Sequence, residues 1–255
     1  MTRPDAFASL HLTGKRAVVT GAGRGIGRAV AELLAARGAT VVLLARSEPQ
    51  LREVASTIEG GGGTAMTIPV DVNDDGALQA AFDAIGPADI LVNSAGTNRP
   101  KPLLDITIDD LDVMIGLNLR AVFRATQLFV GHAVQSGKGG VIVNISSQMG
   151  HVGAPGRSVY CATKHGVEGL TKALAVELAP RGIRVVSVAP TFIETAMTRP
   201  FLQDPDASGE LLAKVPLGRF GTVEEVAEAV AFLCSPAAGL ITGSSVLTDG
   251  GWVAQ

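Results

Sequence analysis

The 255-residue chain has few cysteines and few aromatic residues: two cysteines, one tryptophan and one tyrosine, with aromatic residues making up 4% of the sequence. Cys161 and Cys234 are too few and too far apart to form a disulfide framework, as is usual in a reducing compartment. The 21 basic and 24 acidic residues give a net charge of −3, so no basic surplus is available for nucleic acid. We therefore exclude a disulfide-stapled scaffold and expect no nucleic-acid partner.

A long uninterrupted apolar run is also missing. The first ten residues carry charged side chains and no apolar core, so the sequence predicts neither a signal peptide nor a membrane span. A chain of 255 residues with 47% hydrophobic content is large enough to bury its own core as one domain. We expect a cytoplasmic protein with no membrane partner.

Short apolar runs alternate with longer amphipathic segments along the whole chain. Strands are predicted near residues 16–20, 40–45, 64–68, 89–93, 140–146, 183–189 and 245–248, with helices between them. Several of these runs are continuously apolar, which is typical of parallel strands buried on both faces. The pattern predicts the α/β class: one Rossmann-type domain over residues 1–255, with a doubly wound, parallel, seven-stranded sheet and helices on both faces.

A glycine-rich turn follows the first predicted strand and precedes a helical pattern. It comprises residues 20–27, with glycines at Gly21, Gly25 and Gly27. Glycines let a pyrophosphate approach the main chain, and the amino terminus of the next helix attracts its charge. The spacing differs from the common dinucleotide fingerprint, so the turn alone is weak evidence.

Tyr160, the only tyrosine in the chain, lies four residues before Lys164 in a predicted helix over residues 158–178. Residues at this spacing share one face of a helix. The reference pKa of a phenol is about 10, and a neighbouring cation lowers it. We expect Lys164 to bring the phenol towards the range of acid–base catalysis. An isolated Tyr-x-x-x-Lys is usually a solvated pair, but Ser147 upstream and the glycine-rich turn favour catalysis here.

Five motifs occur in a fixed order: Thr-Gly-x-x-x-Gly-x-Gly at 20–27, Asn-Ser-Ala-Gly at 93–96, Asn118, Ser147, and Tyr160 with Lys164. This combination resembles the short-chain dehydrogenase/reductase family, and the resemblance covers essentially the whole chain. It implies hydride transfer between a nicotinamide cofactor and a ketone or secondary alcohol. Thr191 departs from the family pattern, which has glycine there.

The resemblance also implies a role for each matching residue. The catalytic residues would be Asn118, Ser147, Tyr160 and Lys164. Tyr160 would exchange the proton, Ser147 would orient the substrate oxygen, and Asn118 would anchor a relay water. The cofactor-binding residues would be Gly21, Arg24, Gly25, Ile26, Arg46, Asp71, Val72, Asn93, Ala95, Gly96, Tyr160, Lys164, Pro190, Ile193 and Thr195. Asn93 would act mainly by holding the central sheet together, and no metal site is predicted.

The end of the second strand bears on the choice of cofactor. Relatives that use NAD usually place an aspartate at the position of Ala45, and here that carboxylate is missing and Arg46 follows. A missing anion and an added cation favour the 2′-phosphate of NADP. We therefore expect NADP(H), with NAD(H) possible if Arg46 only stacks on the adenine.

The substrate is less well defined. The segment near 192–215 resembles a mobile substrate lid. Predicted pocket walls are Gln148, Met149, His151, Val152, Phe192, Met197, Phe201 and Leu202. We expect a small ketone, keto ester, sugar or polyol, with a 3-oxoacyl-carrier-protein reductase as the alternative. A non-catalytic NADP-sensing regulator is a distant alternative, because such a protein would be expected to lose Tyr160 or Lys164.

A homotetramer is expected from the resemblance and from apolar residues on the predicted helices 108–135 and 158–178. These residues are Val122, Phe123, Leu128, Phe129, Leu170, Leu174 and Val176. They exceed what one sheet face can bury. The last strand and the Trp252 tail would form the second contact of a dihedral tetramer.

Overall fold

The structure is a computed structural model that describes residues 8–195, 198 and 205–255. Within these residues a single sheet contains seven strands: β1 Arg16–Thr20, β2 Thr40–Ala45, β3 Thr64–Pro69, β4 Ile90–Asn93, β5 Gly140–Ile145, β6 Ile183–Pro190 and β7 Ser245–Thr248. Their order is β3-β2-β1-β4-β5-β6-β7, and every pair is parallel. The order reverses beside β1, so the predicted doubly wound sheet is confirmed, with its switch point at the glycine-rich turn.

Eight α-helices are present in the described residues: α1 Gly25–Ala36, α2 Glu48–Gly60, α3 Asp75–Ile85, α4 Ile108–Ile115, α5 Ala121–Gln135, α6 Ser158–Leu178, α7 Pro205–Leu212 and α8 Val223–Cys234. Helices α1, α2 and α8 pack on one face of the sheet. Helices α3, α5 and α6 pack on the other. The sheet therefore forms the middle layer of three.

Successive residues of a strand belong alternately to the two hydrophobic cores. In β1, Val19 belongs to the core under α1 and α8, whereas Val18 belongs to the core under α3 and α5. Successive strand residues point to opposite faces, so a strand covered on both sides must be apolar at every position. This is why the central strands β1 and β2 each contain a continuously apolar buried run, whereas the edge strand β3 is partly exposed and carries Thr64 and Thr67.

The predicted helix over residues 108–135 contains an unpredicted irregularity. Residues Gly116–Arg120 form a π-helical turn between α4 and α5. Among the described residues, Ile108–Gln135 is long and apolar enough to span a membrane by length and composition alone, and 44% of its most apolar window is buried in the protein. Core helices of globular proteins meet the same criterion, so this segment is weak evidence for a membrane span.

Only some of the apolar helix residues that were expected at a subunit contact are exposed. Val122, Leu128 and Phe129 were predicted to face another subunit, but all three are buried, and Leu128 and Phe129 belong to the core between α5 and the sheet. Phe123 and Val176 are exposed, at 49% and 79%. The correction has a simple cause: the face of α5 that meets the sheet is wider than the sequence pattern suggested.

A chain of buried polar side chains crosses the sheet beneath its carboxyl end. The Asn93 amide donates to Asn144 Oδ1 at 2.9 Å and to Thr126 Oγ1 at 3.1 Å. Asn144 then donates to Thr171 Oγ1 at 3.0 Å. All four residues are buried, so each bond satisfies a group that water cannot reach. The chain joins β4 and β5 to α5 and α6.

We predict that Asn93→Ala lowers the free energy of unfolding by about 1–3 kcal/mol, because Thr126 and Asn144 each lose a buried donor. Urea unfolding followed by circular dichroism measures the change. Gln135→Ala, at an exposed position at the end of α5, is the matched control and should stay within about 0.5 kcal/mol. Equal stability of the two variants would contradict a structural role for the polar chain.

Candidate active site

A cleft of about 730 Å³ opens at the carboxyl ends of the strands. The predicted site residues that line it are Gly21, Arg24, Gly25, Ile26, Arg46, Asp71, Val72, Ala95, Gly96, Ser147, Tyr160, Lys164, Pro190, Ile193 and Thr195. These residues come from the loops after β1 to β6 and from α6. The topology therefore brings together residues that lie up to 174 positions apart in the sequence, from Gly21 to Thr195.

The glycine-rich turn allows close backbone contact at one end of the cleft. A Cβ at Gly27 would lie 2.3 Å from the Gly21 carbonyl oxygen, so only glycine fits there. Thr20 fastens the turn to the next loop, because its hydroxyl accepts from the Ser94 and Ala95 amides at 3.1 and 3.2 Å. Helix α1 starts at Gly25, so its free N–H groups point towards the cleft. This arrangement fits a dinucleotide pyrophosphate.

The end of β2 forms another part of the cleft wall. Ala45 ends the strand without a carboxylate, and Arg24 and Arg46 are exposed on the cleft wall. Gln50 of α2, which the sequence analysis missed, also lines the wall. Two guanidinium groups and no carboxylate at this position favour a phosphorylated ribose over an unphosphorylated one.

The catalytic candidates meet at the end of β5. Lys164 Nζ donates to the Ile145 carbonyl oxygen at 2.8 Å and lies 5.7 Å from the centroid of the Tyr160 ring. Ser147 lies two residues after the end of β5, and its side chain is close enough to Tyr160 to lower the pKa of the phenol. Tyr160 and Lys164 share one face of α6, as their spacing predicted. The structure thus places an acid–base group, a cation and a hydroxyl on one wall of the cleft.

Burial dominates the electrostatics of this group. It raises the pKa of Tyr160 above its ordinary value, and the Ser147 hydroxyl and the Arg157 cation oppose the rise. Burial lowers the pKa of Lys164 to about 8, and the Glu168 carboxylate opposes that change. The expected fall of the phenol pKa is therefore wrong, because the net direction is upward. Desolvation penalises both charged forms more than the neighbouring charges stabilise them.

Asn118 lies behind the cleft rather than on its wall. It is fully buried in the π-helical turn. Its Oδ1 accepts from the Thr97 amide at 2.8 Å, and its Nδ2 donates to the Thr97 carbonyl oxygen at 2.9 Å and to Thr163 Oγ1 at 3.2 Å. Asn118 therefore fixes the loop after β4, whose Gly96 lies beside both Asn118 and Lys164. Its role in a water relay stays a prediction.

Other predicted site residues occupy different places. The Asn93 side chain belongs to the polar chain in the sheet and does not line the cleft, so the assignment to cofactor binding is corrected. Gln148 and Met149 are buried, His151 bonds to Ser245 at 3.0 Å, and none of the three lines this cleft; their role as pocket walls stays a prediction. Val152 and Phe192 also lie off the cleft wall, whereas Met197, Phe201 and Leu202 lie outside the described residues.

The Arg157 cation lowers the pKa of Tyr160, and Arg157 was not among the predicted site residues. Arg157 precedes α6 by one residue, and its position three residues before the tyrosine was the available signal. No group of acidic, histidine and cysteine side chains suited to a metal ion occurs in the described part of the chain.

Comparison with known proteins agrees with this geometry. A family model described as enoyl-(acyl carrier protein) reductase matches residues 21–253. L-xylulose reductase of Bos taurus is 41% identical over 245 residues, covering 96% of this chain and 99% of that protein. The 3-oxoacyl-[acyl-carrier-protein] reductase of Vibrio harveyi is 41% identical over 243 residues, covering 95% and 98%.

A gluconate 5-dehydrogenase from Burkholderia cenocepacia, solved in complex with NADP and tartrate, superposes with a TM-score of 0.94 at 34% identity, covering 98% of this chain and 100% of that chain. The chain belongs to the short-chain dehydrogenase/reductase family, and it is an oxidoreductase of that family.

We predict that Asn118→Ala speeds hydrogen exchange at the Thr97 amide on the order of tenfold or more, because this amide loses its buried acceptor. Exchange followed by mass spectrometry on the peptide that contains Thr97 measures the effect. Asn73→Ala, at an exposed position, is the control. Unchanged exchange in a folded Asn118→Ala protein would show that Asn118 does not fix this loop.

Proposed function

We propose that the protein interconverts a ketone and a secondary alcohol on a small polyhydroxylated substrate, with NADP(H) as cofactor and Tyr160 as the general acid/base. The observation that carries the proposal is the meeting of Tyr160, Lys164 and Ser147 on one wall of the cleft that also contains the glycine-rich turn. We further propose that it works in the cytoplasm, which the scarcity of cysteine supports.

The cofactor proposal, with NAD(H) as the alternative, rests on the two ends of the cleft. Gly21 and Gly27 let the turn fold tightly against its own backbone at the start of α1, whose free N–H groups suit a pyrophosphate. Arg24 and Arg46 offer charge-assisted bonds to a 2′-phosphate. The NADP bound to the Burkholderia cenocepacia relative supports this choice. When bound, the reduced nicotinamide supplies the hydride.

The residues of the chain perform the proton chemistry. Tyr160 donates its phenolic proton to the carbonyl oxygen of the substrate, and it removes the hydroxyl proton in the reverse direction. The high pKa of the buried phenol keeps it protonated and ready to donate near neutral pH. Ser147 orients the substrate oxygen by hydrogen bonding, and Lys164 binds the cofactor ribose and places a positive charge beside the phenol.

Relatives support two substrate classes. The similarity to L-xylulose reductase and gluconate 5-dehydrogenase supports a sugar or polyol. The similarity to the Vibrio harveyi reductase, with Lys138 and Arg181 exposed for an acidic carrier, supports a 3-oxoacyl thioester as the alternative. A panel of NADPH oxidation rates with ketoses, small ketones and acyl thioesters tests the proposal. Turnover of ketoses supports the first class, and turnover of thioesters alone overturns it.

We predict that Tyr160→Phe reduces kcat at least about a hundredfold while cofactor binding persists, because only the transferable proton is lost. Turnover and NADPH fluorescence titration measure the two effects. Thr57→Val, which also removes a hydroxyl but lies on the exposed side of α2, is the matched control. Near wild-type kcat in Tyr160→Phe would overturn the mechanism.

We predict that Ala45→Asp combined with Arg46→Ile moves the kcat/KM ratio of NADPH over NADH towards NADH by on the order of tenfold or more. The change adds a carboxylate for the ribose hydroxyls and removes one charge-assisted contact worth about 1.5–3 kcal/mol. Arg52→Ile, on an exposed turn of α2, is the control. A wild type that already prefers NADH would contradict the role given to Arg46.

We also propose a dihedral homotetramer, supported by the exposed Phe123 and Val176 on α5 and α6 and by the edge strand β7 with its 41% exposed Leu247.

Light scattering should give a mass near four times 26.1 kDa. Val176→Glu should lower that mass to a dimer, because it buries a charge in the proposed contact between helices. Glu59→Ala, exposed on α2, should leave it unchanged, and a monomeric wild type would contradict the proposal.

A further inference from the structure

Glu168 is a buried acidic residue that the proposed chemistry does not use. It is 5% exposed and lies on α6, one turn after Lys164. Ser187 of β6 donates to its Oε2 at 2.8 Å, and Ser245 of β7 donates to its Oε1 at 3.1 Å. Both donors come from strands, so the sheet fixes the position of the carboxylate.

The turn after Ser147 closes the remaining side of this carboxylate. His151 Nε2 lies 3.4 Å from Glu168 Oε1 and 3.0 Å from Ser245 Oγ. A Cβ at Gly150 would lie 3.0 Å from Glu168 Cγ and 3.1 Å from the Lys164 carbonyl oxygen, so the turn presses against both residues. The carboxylate is therefore enclosed by the same elements that hold Lys164.

Burying a carboxylate costs free energy that an apolar side chain would not cost. A buried charge is unfavourable unless it is hydrogen-bonded and paired, and an apolar side chain of similar volume would pack without that cost. The nearest buried cation on the same face is Lys164, which is 5% exposed and four residues away. Its ammonium donates to the uncharged Ile145 carbonyl. A buried ammonium and a buried carboxylate therefore lie four residues apart on the same helix.

We propose that Glu168 is a positioning residue for the proposed hydride-transfer reaction: its carboxylate, fixed by Ser187 and Ser245, keeps Lys164 in the ammonium form in which Lys164 acts. The inference rests on the proposed function for the role of Lys164. Glu168 acts through the lysine and does not touch the substrate.

The charges around this pair are few. Tyr160 and Cys161 lie one turn before Lys164, Arg157 lies at the start of α6, and Lys172 is exposed one turn after Glu168. The turn after Ser147 contributes His151, and β5, β6 and β7 contribute the uncharged Ile145 carbonyl, Ser187 and Ser245. His151 is the basic side chain in contact with the Glu168 carboxylate. Because histidines change charge between about pH 5 and 8, the test uses the alkaline range.

The first test measures Lys164 directly in the cofactor-free protein. With ¹³C-labelled lysine, the six lysine Cε signals are titrated by NMR, and Lys164→Arg assigns the signal of interest. Glu168→Gln should lower the Lys164 midpoint by about one pH unit or more, since a nearby opposite charge is lost. Glu177→Gln, exposed on the same helix, should leave it unchanged. An unchanged midpoint in folded Glu168→Gln overturns the inference.

The second test asks whether the Glu168 charge affects turnover. The alkaline limb of kcat/KM should move to lower pH in Glu168→Gln and return towards the wild type in Glu168→Asp, which keeps the charge. Glu168→Met, of similar length and without hydrogen-bonding needs, replaces Glu168→Gln if that protein does not fold. A moved NMR midpoint with an unmoved alkaline limb overturns the link to the reaction. The NMR result needs no turnover, so it is separate from a failure of the proposed function.

Discussion

The hydrogen bond from the Lys164 ammonium to the Ile145 carbonyl oxygen ties helix α6 to the end of strand β5. Tyr160 is carried by the helix and Ser147 by the chain just beyond the strand, so this one contact sets their relative position. The parallel sheet contributes the rest, because its carboxyl ends bring the glycine-rich turn and the loop after β4 to the same cleft.

Burial gives the site its electrostatic character. It raises the pKa of Tyr160 and lowers that of Lys164 to about 8, so it favours the uncharged form of both groups. A protonated phenol is the form needed to donate a proton to a carbonyl oxygen. The lysine needs an opposing charge to stay protonated, and Glu168 is the carboxylate that raises its pKa.

Most of the fold was predictable because its signal is local. The seven strand positions agree within one or two residues, since a strand buried on both faces leaves an unbroken apolar run. The π-helical turn was not predictable, because one extra residue in a turn barely changes apolar spacing. Val122, Leu128 and Phe129 were misplaced because the sequence shows that a residue is apolar but not which neighbour covers it.

The site was predictable where a motif fixes a residue to a strand end or a helix face, as for Gly21, Ser147, Tyr160 and Lys164. It was not predictable where the role depends on contacts across the sheet. Thr20 hydrogen-bonds to residues 74 and 75 positions away, and Glu168 accepts from Ser187 of β6 and Ser245 of β7. His151 is another example, because its partners are on α6 and β7.

The central claim is that Tyr160 is the acid–base group of the cofactor cleft, and the chain offers a direct probe because Tyr160 is its only tyrosine. The near-ultraviolet absorbance of tyrosinate, followed against pH, therefore reports one residue. We predict a midpoint above the ordinary value of about 10 without cofactor. With saturating NADP⁺, whose oxidised ring carries a positive charge, the midpoint should fall by about one pH unit or more. A midpoint that does not respond to the cofactor would contradict the account.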